Sequence, residues 1–316
     1  MAKVSGTLVS SEVVGDREDL TDAIYMISPE ATPLTSMIGK GKAKNTFHEW
    51  QVDDLAAPDG ANKRAEGNEA SFTSPAQTTR VGNHCQISDK TAIVAETVEA
   101  TQRAGRKSEM GRQMAKRTKE LKRDVETIIF SNQAADSADP RALGGLEAWL
   151  KTNTDFEGTG TDPVYTSVPT DPRNDGAARA ITETQLKNVI SLAWTEGADP
   201  SVIMAGAFNK VAISAFAGNA DKVYNLNSAK PGVIVAAMDV YVSDFGTLKV
   251  IPSRWQRARS VFVLDPSLLE ISYLRGYKTT PLAKTGDATK RLINVEYTLK
   301  VKNEKGLGAI YDLATS

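Results

Sequence analysis

Residues 106–133 read RKSEMGRQMAKRTKELKRDVETIIFSNQ, and this stretch decides the fold more than any other. Met110, Met114, Leu121, Val125, Ile128 and Ile129 recur at three-, four- and seven-residue spacings. On a period of 3.6 those spacings gather them on one helix face. The opposite face carries Arg112, Lys116, Arg117, Lys119, Lys122 and Arg123. A helix over Arg106–Gln133 is about 40 Å long at 1.5 Å per residue, more than an average globular helix. Asp136, Asp139 and Pro140 are expected to end it. The basic face reads as solvated, its charge offset in part by Glu109, Glu120, Asp124 and Glu126. Contact with nucleic acid is the functional alternative, because Lys and Arg neutralise phosphates without regard to base sequence.

Upstream, Thr46–Val52 (TFHEWQV) and His84–Val98 (HCQISDKTAIVAETV) read as strands. The second alternates through Cys85, Ile87, Thr91, Ile93, Ala95 and Thr97, with an interruption at Ser88–Lys90. Asp53–Asn83 between them is rich in Gly, Asn, Asp, Pro and Ala, and is expected to be the polar tip of a long projecting hairpin. Such a hairpin has no core beneath it and needs a neighbour to lie on. Residues 1–45 read as an extended arm. Asp19 or Thr21 caps a short helix over Asp22–Ile27, Pro29 and Pro33 stop it, and Gly39-Lys40-Gly41-Lys42 follows as a hinge.

Downstream, Leu143-Gly144-Gly145-Leu146-Glu147-Ala148-Trp149-Leu150 precedes a loop of Thr, Gly, Asp and Pro. Thr182 is placed to cap a helix over Glu183–Trp194. Ser201–Ala205 reads as a buried strand, Ala207–Ala217 as a helix, Asn219–Gly232 as a polar loop, and Val233–Val242 and Leu248–Ile251 as strands. That alternation points to a compact α/β subdomain. From Ser260 onward the chain is mainly strand (VFVLD, LLEISYL, RLINVEYTLKV, LGAIYDL), with a loop over Gly276–Lys290. The fold class is α+β.

Several chemistries are excluded. The 316 residues carry a formal net charge of −1, so the chain lacks the strong basic excess of a free-standing nucleic-acid binder. Cys85 is the only cysteine, and His48 and His84 are the only histidines. An intrachain disulfide is therefore impossible and a Cys- or His-rich metal site has no ligands. His48-Glu49 would need a second histidine at position 52, which is Val52. Gly39-Lys40 and Lys284-Thr285-Gly286 lack the spacing of a phosphate-cradling loop, and there is no Gly-x-Ser-x-Gly elbow. Cys85 reads as a small packed hydrophobe. We expect no cofactor, no metal, no catalytic residues, no membrane span and no secretory leader, and hence a cytosolic product.

The order of arm, long two-stranded loop, long helix, α/β subdomain and β-rich return resembles the Hong Kong 97-type (HK97-like) phage capsid fold. Particular stretches are similar to one family of tailed-phage major head proteins. These are Ile27-Ser28-Pro29 through Lys44–Gln51, Leu143–Trp149, Val263–Ser267 through Leu282–Asp287, and Glu296-Tyr297-Thr298-Leu299. The resemblance covers nearly the whole chain. It implies a structural subunit that self-assembles into hexamers and pentamers of an icosahedral head enclosing double-stranded DNA. It also implies an arm (1–45), an extended loop (46–99), a peripheral domain (100–140 and 259–316) and an axial domain (141–258). The Asn219–Gly232 loop would lie near the capsomer axis and Gly276–Lys290 near threefold contacts. By segment, Lys63, Arg64 and Glu66 on the extended loop, Asp221 and Lys222 on the axial loop, and Lys284 and Asp287 are the expected inter-subunit contacts. Family members with a built-in scaffold carry a charged helical region of about a hundred residues before the loop. With only about 45 here, the expectation is a separate scaffold protein, together with a portal protein and decoration proteins. Lys63 is available for a covalent crosslink, but no partner is identified and none is predicted. An encapsulin-like cargo compartment and an unrelated α/β enzyme are the alternatives.

Overall fold

The computed structural model describes residues 28–70, 72, 74–101, 105, 107–216 and 239–315. The expected helix over Asp22–Ile27, the Asn219–Gly232 loop and the start of Val233–Val242 lie outside them. In chain order the elements are α1 (Pro33–Met37), β1 (Gly39–Lys42), β2 (Phe47–Val52), β3 (Thr79–His84), β4 (Gln86–Ala95), α2 (Glu96–Ala100), α3 (Glu109–Phe130), α4 (Leu146–Trp149) and β5 (Thr154–Asp155). They continue with α5 (Glu183–Thr195), β6 (Val202–Ala205), α6 (Ala207–Ser214), β7 (Val240–Ser243), β8 (Gly246–Pro252), β9 (Val261–Leu264), β10 (Leu269–Pro281), β11 (Ala288–Val301) and β12 (Gly308–Ile310). Pro33 opens α1 rather than stopping a helix, since the first helical position needs no N–H.

The long helix is α3, and it is shorter than its pattern suggests. The Ser108 hydroxyl accepts from the Gly111 amide and fixes the start, and the backbone turns extended at Ser131, before the Asp136–Pro140 stop. Its 22 residues span about 33 Å. Met110, Met114, Leu121, Val125 and Ile129 are buried as their spacing requires.

That face lies on a four-stranded sheet of order β1-β10-β11-β4. Three expectations are corrected here. Gly39–Lys42 is not a hinge but an edge strand, paired in parallel with Glu270–Tyr273. The Gly276–Lys290 loop shrinks to 282–287, because β10 and β11 continue their antiparallel pairing to Pro281 and Arg291. Strand β4 runs unbroken through Ser88–Lys90, and its buried phase is the opposite of the one read from sequence. Ala92 and Val94 are buried and Lys90 pairs with Asp124 of α3 at 2.7 Å, while Ile87 and Ile93 face solvent.

The two-stranded hairpin is real, but its second strand is β3 rather than His84–Val98. Phe47 to Val52 pair with His84 back to Thr79, so the polar tip ends at Thr78. After Cys85 the chain leaves the hairpin and joins β11.

The remaining strands form a six-stranded sheet of order β5-β12-β9-β6-β8-β7. Helix α5 starts with a reciprocal cap between Thr182 and Gln185. With α6 it contributes to a core of Leu186, Val189, Ile190, Ile203, Ile213, Val261, Val263 and Ile310. The alternate residues of the same strands, among them Met204, Phe262 and Tyr311, join the core that holds α3. Helix α6 ends at Ser214 and not at Ala217. Strands β9 and β12, both beyond residue 258, pair into this sheet and not the four-stranded one.

Candidate assembly surfaces

The hairpin is tied firmly at its base. Asn83 is fully buried; its amide nitrogen donates to the carbonyls of Gly144 (3.1 Å) and Leu299 (2.8 Å), and its oxygen accepts from the Gly144 amide at 2.7 Å. Trp50 packs against Trp149 with ring centroids 5.5 Å apart. Phe47 lies 4.7 Å from the His84 ring, and the pairs Arg80–Glu49 and Lys305–Asp54 close the flanks. Burial holds both His48 and His84 below the ordinary histidine pKa. Burial also pushes the Cys85 thiol up to about 11, so Cys85 is a packed residue and not a nucleophile.

Beyond that base, residues 53–70 and 74–78 are exposed along their length. Lys63, Arg64 and Glu66 stand in solvent on this segment. Local turns shape it, with the Asn62 amide donating to the Asp59 carbonyl and the Asn68 amide to that of Ala65. Leu55 and Phe72 are 100% and 97% exposed on the same segment, which marks it as a surface awaiting cover. Lys284 and Asp287 sit at the tip of the β10–β11 hairpin and close against their own chain. Lys284 pairs with Glu96, whose amide donates to the Asp287 carbonyl. Asp221 and Lys222 lie outside the described residues.

The arm's exit is also fixed. Glu126, fully buried on α3, accepts from the amides of Leu34 (2.7 Å) and Thr35 (2.8 Å). Lys119 pairs with Glu30, and the Trp255 indole N–H donates to the Ala31 carbonyl at 2.7 Å. Glu109 and Glu126 are buried and so do not offset the basic face as expected. That face is nevertheless largely compensated. Arg117 reaches Glu120, Arg112 pairs with Glu109 at its edge, and Arg123 lies over Trp255.

The densest titratable cluster is internal. Arg173 bridges Asp175 and the fully buried Asp312, and Arg257 bridges Asp175 and the fully buried Glu147. These pairs pin the irregular stretch between α4 and α5 to β12 and to the loop before β9. Burial raises the Glu147 carboxyl pKa, and the Arg257 charge opposes that rise. An open hollow of about 350 Å³ lies under the hairpin base, floored by Val52, Val81, Trp149 and Val301. Its rim of Lys151, Lys305 and acids holds no nucleophile with a base. Among the described residues no group of His, Cys, Asp and Glu is arranged to hold a metal, and no helix is long and apolar enough to cross a membrane.

A family model described as SU10 major capsid protein matches residues 3–314. The major capsid protein of Escherichia phage Phieco32 is 26% identical, over 97% of each chain. Among solved structures, the cyanophage A-1(L) capsid asymmetric unit superposes with a TM-score of 0.64 at 12% identity, covering 98% of this chain and 99% of that one. The holo-SrpI encapsulin complex of Synechococcus elongatus PCC 7942 superposes with a TM-score of 0.56 at 10% identity, covering 95% and 93%. The α+β architecture is thus the HK97-type shell fold, which phage capsids and an encapsulin share.

Proposed function

Because the chain belongs to the SU10 major capsid protein family, and is therefore a structural subunit of a phage head and not an enzyme, we propose how its parts divide the work of building that head. Subunits of this kind associate with one another into an icosahedral shell. Here residues 1–45 are the arm, released to neighbours from the point where Glu126 and Lys119 hold it. Residues 46–99 are the extended loop and lie over an adjacent subunit. The four-stranded sheet with α3, largely 100–140 and 259–316, is the peripheral part. The six-stranded sheet, largely 141–258 but completed by β9 and β12, is the axial part. Lys63, Arg64, Glu66, Lys284 and Asp287 remain the proposed contact residues, with Asp221 and Lys222 toward the capsomer axis.

The shell encloses double-stranded DNA and touches it without sequence preference, through lysines of α3 such as Lys116 and Lys122. Assembly takes place in the host cytoplasm with a separate scaffold protein, a portal protein and decoration proteins. The encapsulin alternative shares the fold, but the family match and the curated relative both favour the phage head.

The observation that carries this reading is the exposed segment 53–78 on a rigid base. A surface that cannot bury itself is a liability in a monomer, but in a lattice many modest contacts act together. The test is to replace Leu55–Ala76 by a short Gly-Ser link, leaving Asn83 and the β2–β3 ladder intact. The trimmed chain is expected to remain soluble with an unchanged far-UV circular dichroism spectrum, and to sediment as small species where the full chain forms shells. Normal shells from the trimmed chain would remove the loop from the mechanism.

A further inference from the structure

The four-stranded sheet has one face under α3 and one face open. Lys90, Ala92 and Val94 point to the helix, so the alternate residues of β4 point away from it. The strand register carries that open face across the sheet. Ile93 stands beside Lys290, and the Leu282 amide donates to the Lys290 carbonyl, which extends the row onto β10. One row along, Thr91, Leu292 and Thr280 align, then Asp89, Asn294 and Lys278, and last Ile87, Glu296 and Arg275. Ile93 is 63% exposed and Ile87 49% exposed, on a strand whose opposite face is packed. β-branched residues at such positions are costly in water and suit a covered surface.

The open face is mildly basic. Arg275 is paired with Glu296, which leaves Lys278 and Lys290 against Asp89. The exposed loop is acidic. Asp53, Asp54, Asp59, Glu66 and Glu69 outnumber Lys63 and Arg64, and these acids flank Leu55 and precede Phe72. The two surfaces therefore match in both character and charge, apolar centre to apolar centre and acid to base. Within one chain the hairpin is fixed at its base by Asn83 and Trp50, and both surfaces stay open.

We infer that the loop of one copy seats Leu55 and Phe72 on the Ile87–Ile93 face of the four-stranded sheet in a second copy, an assignment that rests on the shell reading above. Loop and seat are different surfaces, so the contact is head-to-tail. Such a contact propagates from copy to copy and closes into a ring where the rotation allows. Lys278 and Lys290 set the register against Glu66 and Glu69.

Paired cysteines in assembled particles test the assignment. Leu55→Cys or Phe72→Cys is combined with Ile87→Cys or Ile93→Cys, and the particles are oxidised and run on a non-reducing gel. All four positions are exposed and the native Cys85 is buried, so folding and background are little affected. At least one pair is expected to convert the monomer band into covalent multimers, with neither single variant doing so. Intact particles whose subunits stay monomeric for all four pairs would overturn the seat while leaving the shell reading standing. Lys278→Glu with Lys290→Glu should lose particle yield, and Glu66→Lys with Glu69→Lys should restore part of it. Undiminished yield from the lysine pair alone would contradict the charge match. Failure of the unaltered chain to form particles counts against the shell reading instead.

Discussion

Asn83 carries more of the hairpin's placement than its size suggests. It sits where β3 passes under Gly144 and β11, and it satisfies two carbonyls and one amide that no water reaches. Asn83→Ala is expected to cost roughly 1–3 kcal/mol, because those backbone groups remain buried without partners. Urea unfolding of the isolated subunit measures this, and an unchanged midpoint would show the bonds to be dispensable. The two histidines give the same region a pH dependence. Burial lowers both pKa values, so the neutral form is favoured by folding. Their contribution is fully present above about 6.5, the ordinary histidine value, and is lost as pH falls through their lowered values. The difference in melting temperature between the native chain and a His48→Gln, His84→Gln variant should therefore shift against the native chain from pH 7.5 to 5.5. A constant difference would show that neither histidine is coupled to folding. None of this was legible beforehand: Asn83 reads as one more polar loop residue until its partners, 61 and 216 positions away, are known.

At the scale of elements, what the sequence discloses depends on where the partner of each face lies. Helix α3 was readable because its apolar stripe meets a sheet of the same chain. Leu121→Ala should cost roughly 2–5 kcal/mol, since Leu121 is fully buried, while the adjacent exposed Lys122→Ala stays within about 0.5 kcal/mol. Equal effects in a denaturation series would mean that the amphipathic face does not set the packing. Strand β4 was readable as a strand but not in phase. Its larger apolar residues, Ile87 and Ile93, lie on the open face, and the smaller Ala92 fits under the helix. Alternation reveals that two faces differ, and cannot say which is inward when the cover comes from another molecule. Gly39–Lys42 has no strand signature at all and becomes one only by pairing beside β10, a tertiary effect that overrides propensity. The β10–β11 hairpin was underestimated in the same way. Gly276, Lys278 and Thr280 read as loop, but the pairing of the two long strands carries them outward together.

For the whole molecule, the two sheets share one core around α3, Phe262 and Tyr311, and buried ion pairs lock the irregular segment between α4 and α5 onto it. What remains unsatisfied is confined to the surface. An acidic loop carries Leu55 and Phe72, an open sheet face carries Ile87 and Ile93, and an arm leaves from a fixed point on α3. A chain that resolves its interior and leaves those surfaces open is built to meet copies of itself. The absence of a nucleophile–base pair or metal cluster among the described residues is consistent with work done by binding. Electron microscopy of particles isolated from cells producing this chain with its assembly partners tests that account most directly. Closed shells of fivefold and sixfold capsomers, with this chain as the dominant protein, are the expected result. A 34.0 kDa monomer or a dimer that stays unassembled under the same conditions would contradict it.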